Sequence, residues 1–123
     1  MEALILPAAS LVGLSLLLGW TAHVSAHDEL ERNGLIGIRL RSTMASDEAW
    51  RAGHCAAAPP LRVAAWTCGL VGLAGSILVV VGLHLGAALV VAGYVAFAGL
   101  LALATLRAHR AAQAVETGDG RGA

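Results

Sequence analysis

Arg39, Arg41, Trp50, Arg51 and His54 fall within 16 residues of one another and are the side chains of this chain best suited to recognition chemistry. A guanidinium offers a planar fork of donors that grips a carboxylate or phosphate through paired hydrogen bonds, and an imidazole titrates near neutral pH. On a helix Trp50 and His54, four residues apart, share a face, and Arg51 lies on the adjacent one. Catalysis fits less well. His54 and Cys55 are neighbours, so on a helix they point about 100° apart and do not face each other as base and nucleophile. Asp28, Glu29 and Glu31 lack metal-ligand spacing, and Cys55 and Cys68 have no second CxxC or HxxxH to complete a zinc set or a disulfide framework. The residues therefore read as non-enzymatic, with no metal and no cofactor.

The elements that must position these residues follow from composition. Of the 123 residues 58% are hydrophobic and only 13% are charged, with a mean hydropathy of +0.75; a soluble domain carries about 25% charged residues. Water is not the main solvent of this chain. All eight basic residues are arginines, balanced by eight acids, so the basic excess that nucleic-acid binding requires is missing. Three stretches free of Asp, Glu, Lys and Arg, 3–22, 63–83 and 86–106, are each about 20 residues long. A helix of that length crosses the ~30 Å hydrocarbon core, and an apolar run of that length satisfies its backbone in lipid only as a helix. The expectation is an all-α, three-helix transmembrane bundle forming one membrane domain over 1–112, with a disordered Gly-rich tail over 113–123. His84 and its neighbours join the second and third spans as an antiparallel hairpin. Small residues allow close helix approach in lipid, which points to Gly69, Gly72 and Ser76 facing Ala88, Ala92 and Ala96, with Ser15 and Gly19 on the first span.

The polar loop over 23–62 holds five of the eight arginines and five of the eight acids. The other three arginines follow the third span, and none lies on the opposite side, so the positive-inside rule puts the loop and the C-terminus in the cytoplasm and the N-terminus outside. Val24-Ser25-Ala26 has the small residues of a signal-peptidase site. With Glu2 and no basic residue before the apolar run, the segment reads as an uncleaved span. Within the loop, Arg32-Asn33-Gly34 signals a turn, and Leu35–Arg41 alternates with the period of an extended segment. Ser46 reads as an N-cap, followed by Asp47 and Glu48 in the first turn of a short interfacial helix that ends near Ala57, before Pro59-Pro60. On composition alone Trp50 is an interfacial anchor, and Arg39 and Arg41 meet anionic headgroups of the bilayer.

The run from Arg32 to His54, RNGLIGIRLRSTMASDEAWRAGH, resembles the signature of the SdpI family of small bacterial membrane proteins, approximately N-x-x-x-G-[IV]-R-T-P-W-T-x-x-S-x-x-x-W-x-x-x-H. Asn33, Gly37, Ile38, Arg39, Thr43, Ser46, Trp50 and His54 match it without a gap. Leu40, Arg41 and Ser42 stand where the family often has Thr-Pro-Trp, and the namesake has an additional membrane region. That namesake is an immunity protein, which protects its producer from a secreted membrane-active toxin and also holds a transcriptional repressor at the membrane. The resemblance therefore implies a protein of the bacterial plasma membrane whose loop meets a toxin peptide or a regulator. Asn33, Gly37, Arg39, Thr43, Ser46, Trp50 and His54 are then the candidate binding motif. Two alternatives stand beside it: a rigid lid over the bundle in which Arg39 pairs with Asp47 or Glu48, and an accessory subunit docked by its small-residue stripes onto a larger membrane complex or a second copy of itself.

Overall fold

Ile5–Ala26 carries no Asp, Glu, Lys or Arg and winds into helix α1. The computed structural model describes the backbone of residues 2–27 and 29–121 and the side chains of 3–27 and 29–118. A single 3-10 turn at Glu2–Leu4 leads into α1, a second at Thr43–Ala45 precedes α2 (Asp47–Val80), and a tight turn joins α2 to α3 (Leu85–Arg121). All three helices are long and apolar enough to cross a membrane, and no strand occurs among the described residues. The chain is an all-helical, multi-pass membrane protein. Its outer surface agrees: Leu6, Leu16, Leu70, Val80 and Val95 are more than 60% exposed, a belt that water would not tolerate on a monomer.

The α2 and α3 helices have 34 and 37 residues, so each runs about 50 Å, well beyond a ~30 Å hydrocarbon core. Asp47, Glu48, Arg51 and Arg62 occupy the first half of α2, and Arg107 and Arg110 follow the uncharged part of α3. The uncharged stretches 63–80 and 85–106 are long enough to cross that core, and 47–62 and 107–121 extend beyond them from the same end as an antiparallel pair. At the opposite end Gly82 takes φ 78°. Its N–H bonds Val79 O at 3.1 Å, and the Leu83 N–H bonds Leu78 O at 2.9 Å. This is a Schellman cap, and glycine is the residue that reaches the left-handed conformation without steric cost.

Helix α2 lies in the middle, packed along both neighbours, while α1 and α3 share little contact. Small residues set the separation. A Cβ on Gly69 would lie 2.7 Å from Ser15 Oγ, one on Gly72 2.9 Å from Leu11 Cβ, and one on Gly75 3.1 Å from Val90 Cγ2. Where α1 and α3 do meet, a Cβ on Gly93 would touch Leu11, and Tyr94 Oη donates to Pro7 O while pairing with Ser10 Oγ. In the projecting half the contact is a stripe of alanines. Ala49 and Ala57 on α2 and Ala104, Ala108 and Ala112 on α3 are fully buried, and Gly53 comes so close that a Cβ there would sit 3.1 Å from Ala108 O.

Four expectations require correction. The short interfacial helix does not end before Pro59: α2 runs unbroken through Pro59 and Pro60 to Val80. Two prolines remove two amide donors and cost about 3 kcal/mol or more each in a free helix; here Ala57, Ala58, Pro60 and Leu61 are buried, and tertiary packing overrides the local preference. Leu35–Gly37 is bent, Ile38–Leu40 belongs to no regular element and Arg41 begins a turn, because Gly37 at φ 110° breaks the alternation. Ala88 and Ala92 are exposed and Ala96 half-buried, the face toward α2 carrying Gly86, Val90 and Gly93 instead. Residues 113–121, expected as a disordered tail, continue α3, with Thr117 Oγ1 back-bonding to Gln113 O and Ala114 O; 122 and 123 lie outside the described residues.

Candidate functional site

The loop between α1 and α2 obtains its hydrogen bonds from motif side chains instead of from a ladder. Asn33 Oδ1 accepts the amides of Leu35 and Ile36, both at 2.8 Å, while its Nδ2 donates to Glu31 O at 2.9 Å. This side chain folds its own backbone into a turn. Thr43 Oγ1 is buried, accepts the Leu40 amide at 2.9 Å and shares its proton between Ile38 O at 2.7 Å and Leu40 O at 3.0 Å. Ser46, in extended conformation at φ −157°, accepts the Ala49 amide at 3.0 Å and caps α2, with Asp47 and Glu48 at the positive end of the helix dipole. Ser42 Oγ ties the same segment to His109 Nδ1 of α3 at 2.7 Å.

Trp50 and His54 form the floor beneath this loop. Trp50 is 1% exposed, its Nε1 donates to Leu30 O at 2.8 Å, and its ring lies 4.1 Å from that of His54. The His54 ring is held at both nitrogens. Its Nε2 accepts the Ile38 amide at 2.9 Å, so the proton resides on Nδ1, which donates to Trp50 O at 2.8 Å. Gly37 passes directly above the pair: a Cβ there would lie 2.6 Å from His54 Nε2 and 3.0 Å from Trp50 Cη2.

His54 lies nine residues before the uncharged span of α2. Burial lowers its pKa below the ordinary 6.5, against an opposing pull from the Trp50 carbonyl, which favours the charged ring. A released loop takes up the proton near 6.5 and the closed one only below that, so the stability that neutral His54 contributes is complete above pH 6.5 and is lost as the pH falls toward the lowered value. Protonation also turns the acceptor facing Ile38 N–H into a donor. In a protein keeping Trp50 alone (Trp20→Phe, Trp66→Phe), acidification from about pH 7 to pH 5 is expected to shift the Trp50 emission to the red. A profile that is flat, or unchanged by His54→Gln, contradicts this.

The fold thus brings six motif residues into one network: Asn33, Gly37, Thr43, Ser46, Trp50 and His54. The seventh, Arg39, is exposed and has no hydrogen bond or ion pair among the described residues. It pairs with neither Asp47 nor Glu48. That place goes to Arg32, whose Nε lies 3.3 Å from Asp47 Oδ1 and whose Nη1 donates to Met44 O at 3.0 Å; exposed as it is, the ion pair is worth little. Of the packing residues, Gly69 and Gly72 face α1, whereas Ser76 Oγ turns back onto Gly72 O at 2.7 Å within its own helix. Sequence reasoning missed Arg32, Gly53 and His109. Gly53 had a signal, since a glycine inside a helix costs about 1 kcal/mol relative to alanine and marks close backbone approach. No grouping of His, Cys, Asp and Glu among the described residues could hold a metal ion.

A family model described as the SdpI/YfhL protein family matches residues 29–106, more than half of the chain. The matched stretch includes the whole network from Asn33 to His54, all of α2 and α3 as far as Leu106. No curated protein and no solved structure matches the chain.

Proposed function

The chain belongs to the SdpI/YfhL protein family, and from that premise we propose that it is a non-catalytic immunity protein of the bacterial plasma membrane, guarding it against a membrane-active peptide through its cytoplasmic loop. The observation that supports this reading is the contrast within the motif. Six residues lock the loop, and Arg39 alone is turned outward without a partner among the described residues. Arg41, also exposed, lies two residues on. A rigid loop that presents a guanidinium loses little conformational entropy when a carboxylate or phosphate docks on it. The lid and the binding site are one arrangement: the lid is what holds Arg39 out.

Arg39→Ala is expected to leave the protein folded at wild-type levels in the membrane, because no internal hydrogen bond or ion pair is removed, and to sensitise cells to membrane-active peptides as deletion of the gene does. Lysine at position 39 keeps the charge without the fork and is expected to restore protection only in part. The companion measurement is a pull-down from native membranes in lipid nanodiscs, wild type beside Arg39→Ala. A peptide or regulator lost with the substitution supports the proposal. A stoichiometric membrane protein retained by both versions overturns it and makes the chain an accessory subunit.

A further inference from the structure

A groove of about 570 Å³ runs along the outer seam of α1 and α2, and nothing in the loop network touches it. Its floor is made of small residues, with a Cβ on Gly19 3.7 Å from Ala65 Cβ and Gly69 pressed against Ser15. Its walls are large and apolar. Trp20 on α1 is 47% exposed, and on α2 Trp66 and Leu70 are 69% and 63% exposed. At the end nearer the loop the groove is lined by Arg62 and His23, and the His23 ring stacks on His27 at 4.3 Å. No acidic side chain lines the groove, and Arg62 has no partner among the described residues.

We propose that this groove binds one anionic phospholipid from the leaflet on the loop side, its phosphate on Arg62 and one acyl chain between Trp20 and Trp66. Three observations select this occupant. The groove extends along α2 from Arg62 to Leu73, about 16 Å at 1.5 Å per residue, which is close to half of a ~30 Å hydrocarbon core. One leaflet's acyl chain has that reach, whereas a partner helix needs an apolar seam across the full core. The cationic end lies beside the tryptophans, as a headgroup lies above the top of its chain, and tryptophan is the residue that sits at that level. The charge at that end is uncompensated among the described residues, so a phosphate without an accompanying choline cation is the better partner.

Quenching of intrinsic fluorescence tests this in the full chain reconstituted in vesicles. Trp50 is buried, so a brominated acyl chain reaches Trp20 and Trp66. Phosphatidylglycerol and phosphatidylcholine with the same brominated chains are compared at equal mole fraction. The wild type is expected to prefer the anionic lipid about fivefold, the weight of one basic residue near the membrane surface, and Arg62→Gln, at an exposed position, to lose that preference while its helical signal stays the same. Trp20→Phe, leaving Trp66 as the reporter, is expected to keep it. Equal quenching by the two lipids in the wild type, or a preference that survives Arg62→Gln, overturns the proposal. So does protection of both tryptophans from either lipid together with cross-linking of two chains through this seam, which would make a second copy the occupant.

Discussion

Gly37→Ala is expected to open the loop at a cost of about 3 kcal/mol, with motif helix α2 left intact. Two terms contribute. At φ 110° a residue with a Cβ is strained by about 1–3 kcal/mol. The new methyl would also lie 2.6 Å from His54 Nε2 and 3.0 Å from Trp50 Cη2. Both are ring atoms of side chains held in place, Trp50 by Leu30 O and His54 by Trp50 O, so neither ring yields cheaply. If the His54 ring moves, Ile38 N–H loses its acceptor, and an unsatisfied buried group costs about 1–3 kcal/mol. Hydrogen exchange at the Ile38 amide is the direct readout, and about a hundredfold loss of protection corresponds to the sum. Gly34→Ala is the control, since nothing lies within 4 Å of a Cβ there. Equal protection in Gly37→Ala and Gly34→Ala would refute the account.

Gly72→Leu is expected to separate α1 from α2 and destabilise the bundle by about 3 kcal/mol, at the upper end of the overpacking range. A Cβ at position 72 meets Leu11 Cβ at 2.9 Å, Val12 Cγ2 at 3.2 Å and, decisively, the backbone nitrogen of Val12 at 3.2 Å. A side chain can change rotamer; a backbone atom moves only with its helix. Leu11 is fully buried, and a Cβ on Gly93 of α3 would lie only 2.8 Å from it, so pushing α1 outward breaks the place where all three helices meet. Thermal melting in mild detergent should fall steeply for Gly72→Leu. Ala92→Leu, on an exposed position of α3, should melt like the wild type. If the two variants melt alike, the small-residue seam does not hold the bundle.

Much of this was legible before the fold was seen. Three uncharged runs of about 20 residues made three spanning helices unavoidable in lipid, and the match from Asn33 to His54 marked the segment whose side chains the fold ties together. The helix cap at Ser46 and the shared face of Trp50 and His54 were readable because each is decided within four residues of chain. Other features were not. The face of α3 was misread because almost every residue of that helix is apolar or small, so its hydrophobic periodicity names no preferred side, and only the partner helix selects Gly86, Val90 and Gly93 over Ala88 and Ala92. The break expected at Pro59-Pro60 failed for a related reason, the buried face that begins with Ala49, Gly53 and Ala57 continuing past the prolines through Leu61, Ala64 and Cys68.

The sequence by itself determined the solvent, the number of spans and the address of the motif, because hydropathy summed over a span and hydrogen bonds within a turn are local properties of the chain. Only the tertiary structure decided what the motif residues do. Ile38 meets His54, Gly37 passes over Trp50, Ser42 reaches His109 and Arg32 takes Asp47, each a meeting between residues at least 13 positions apart. Such meetings depend on where the helices and the loop converge, and they leave Arg39 as the motif side chain with no internal partner among the described residues.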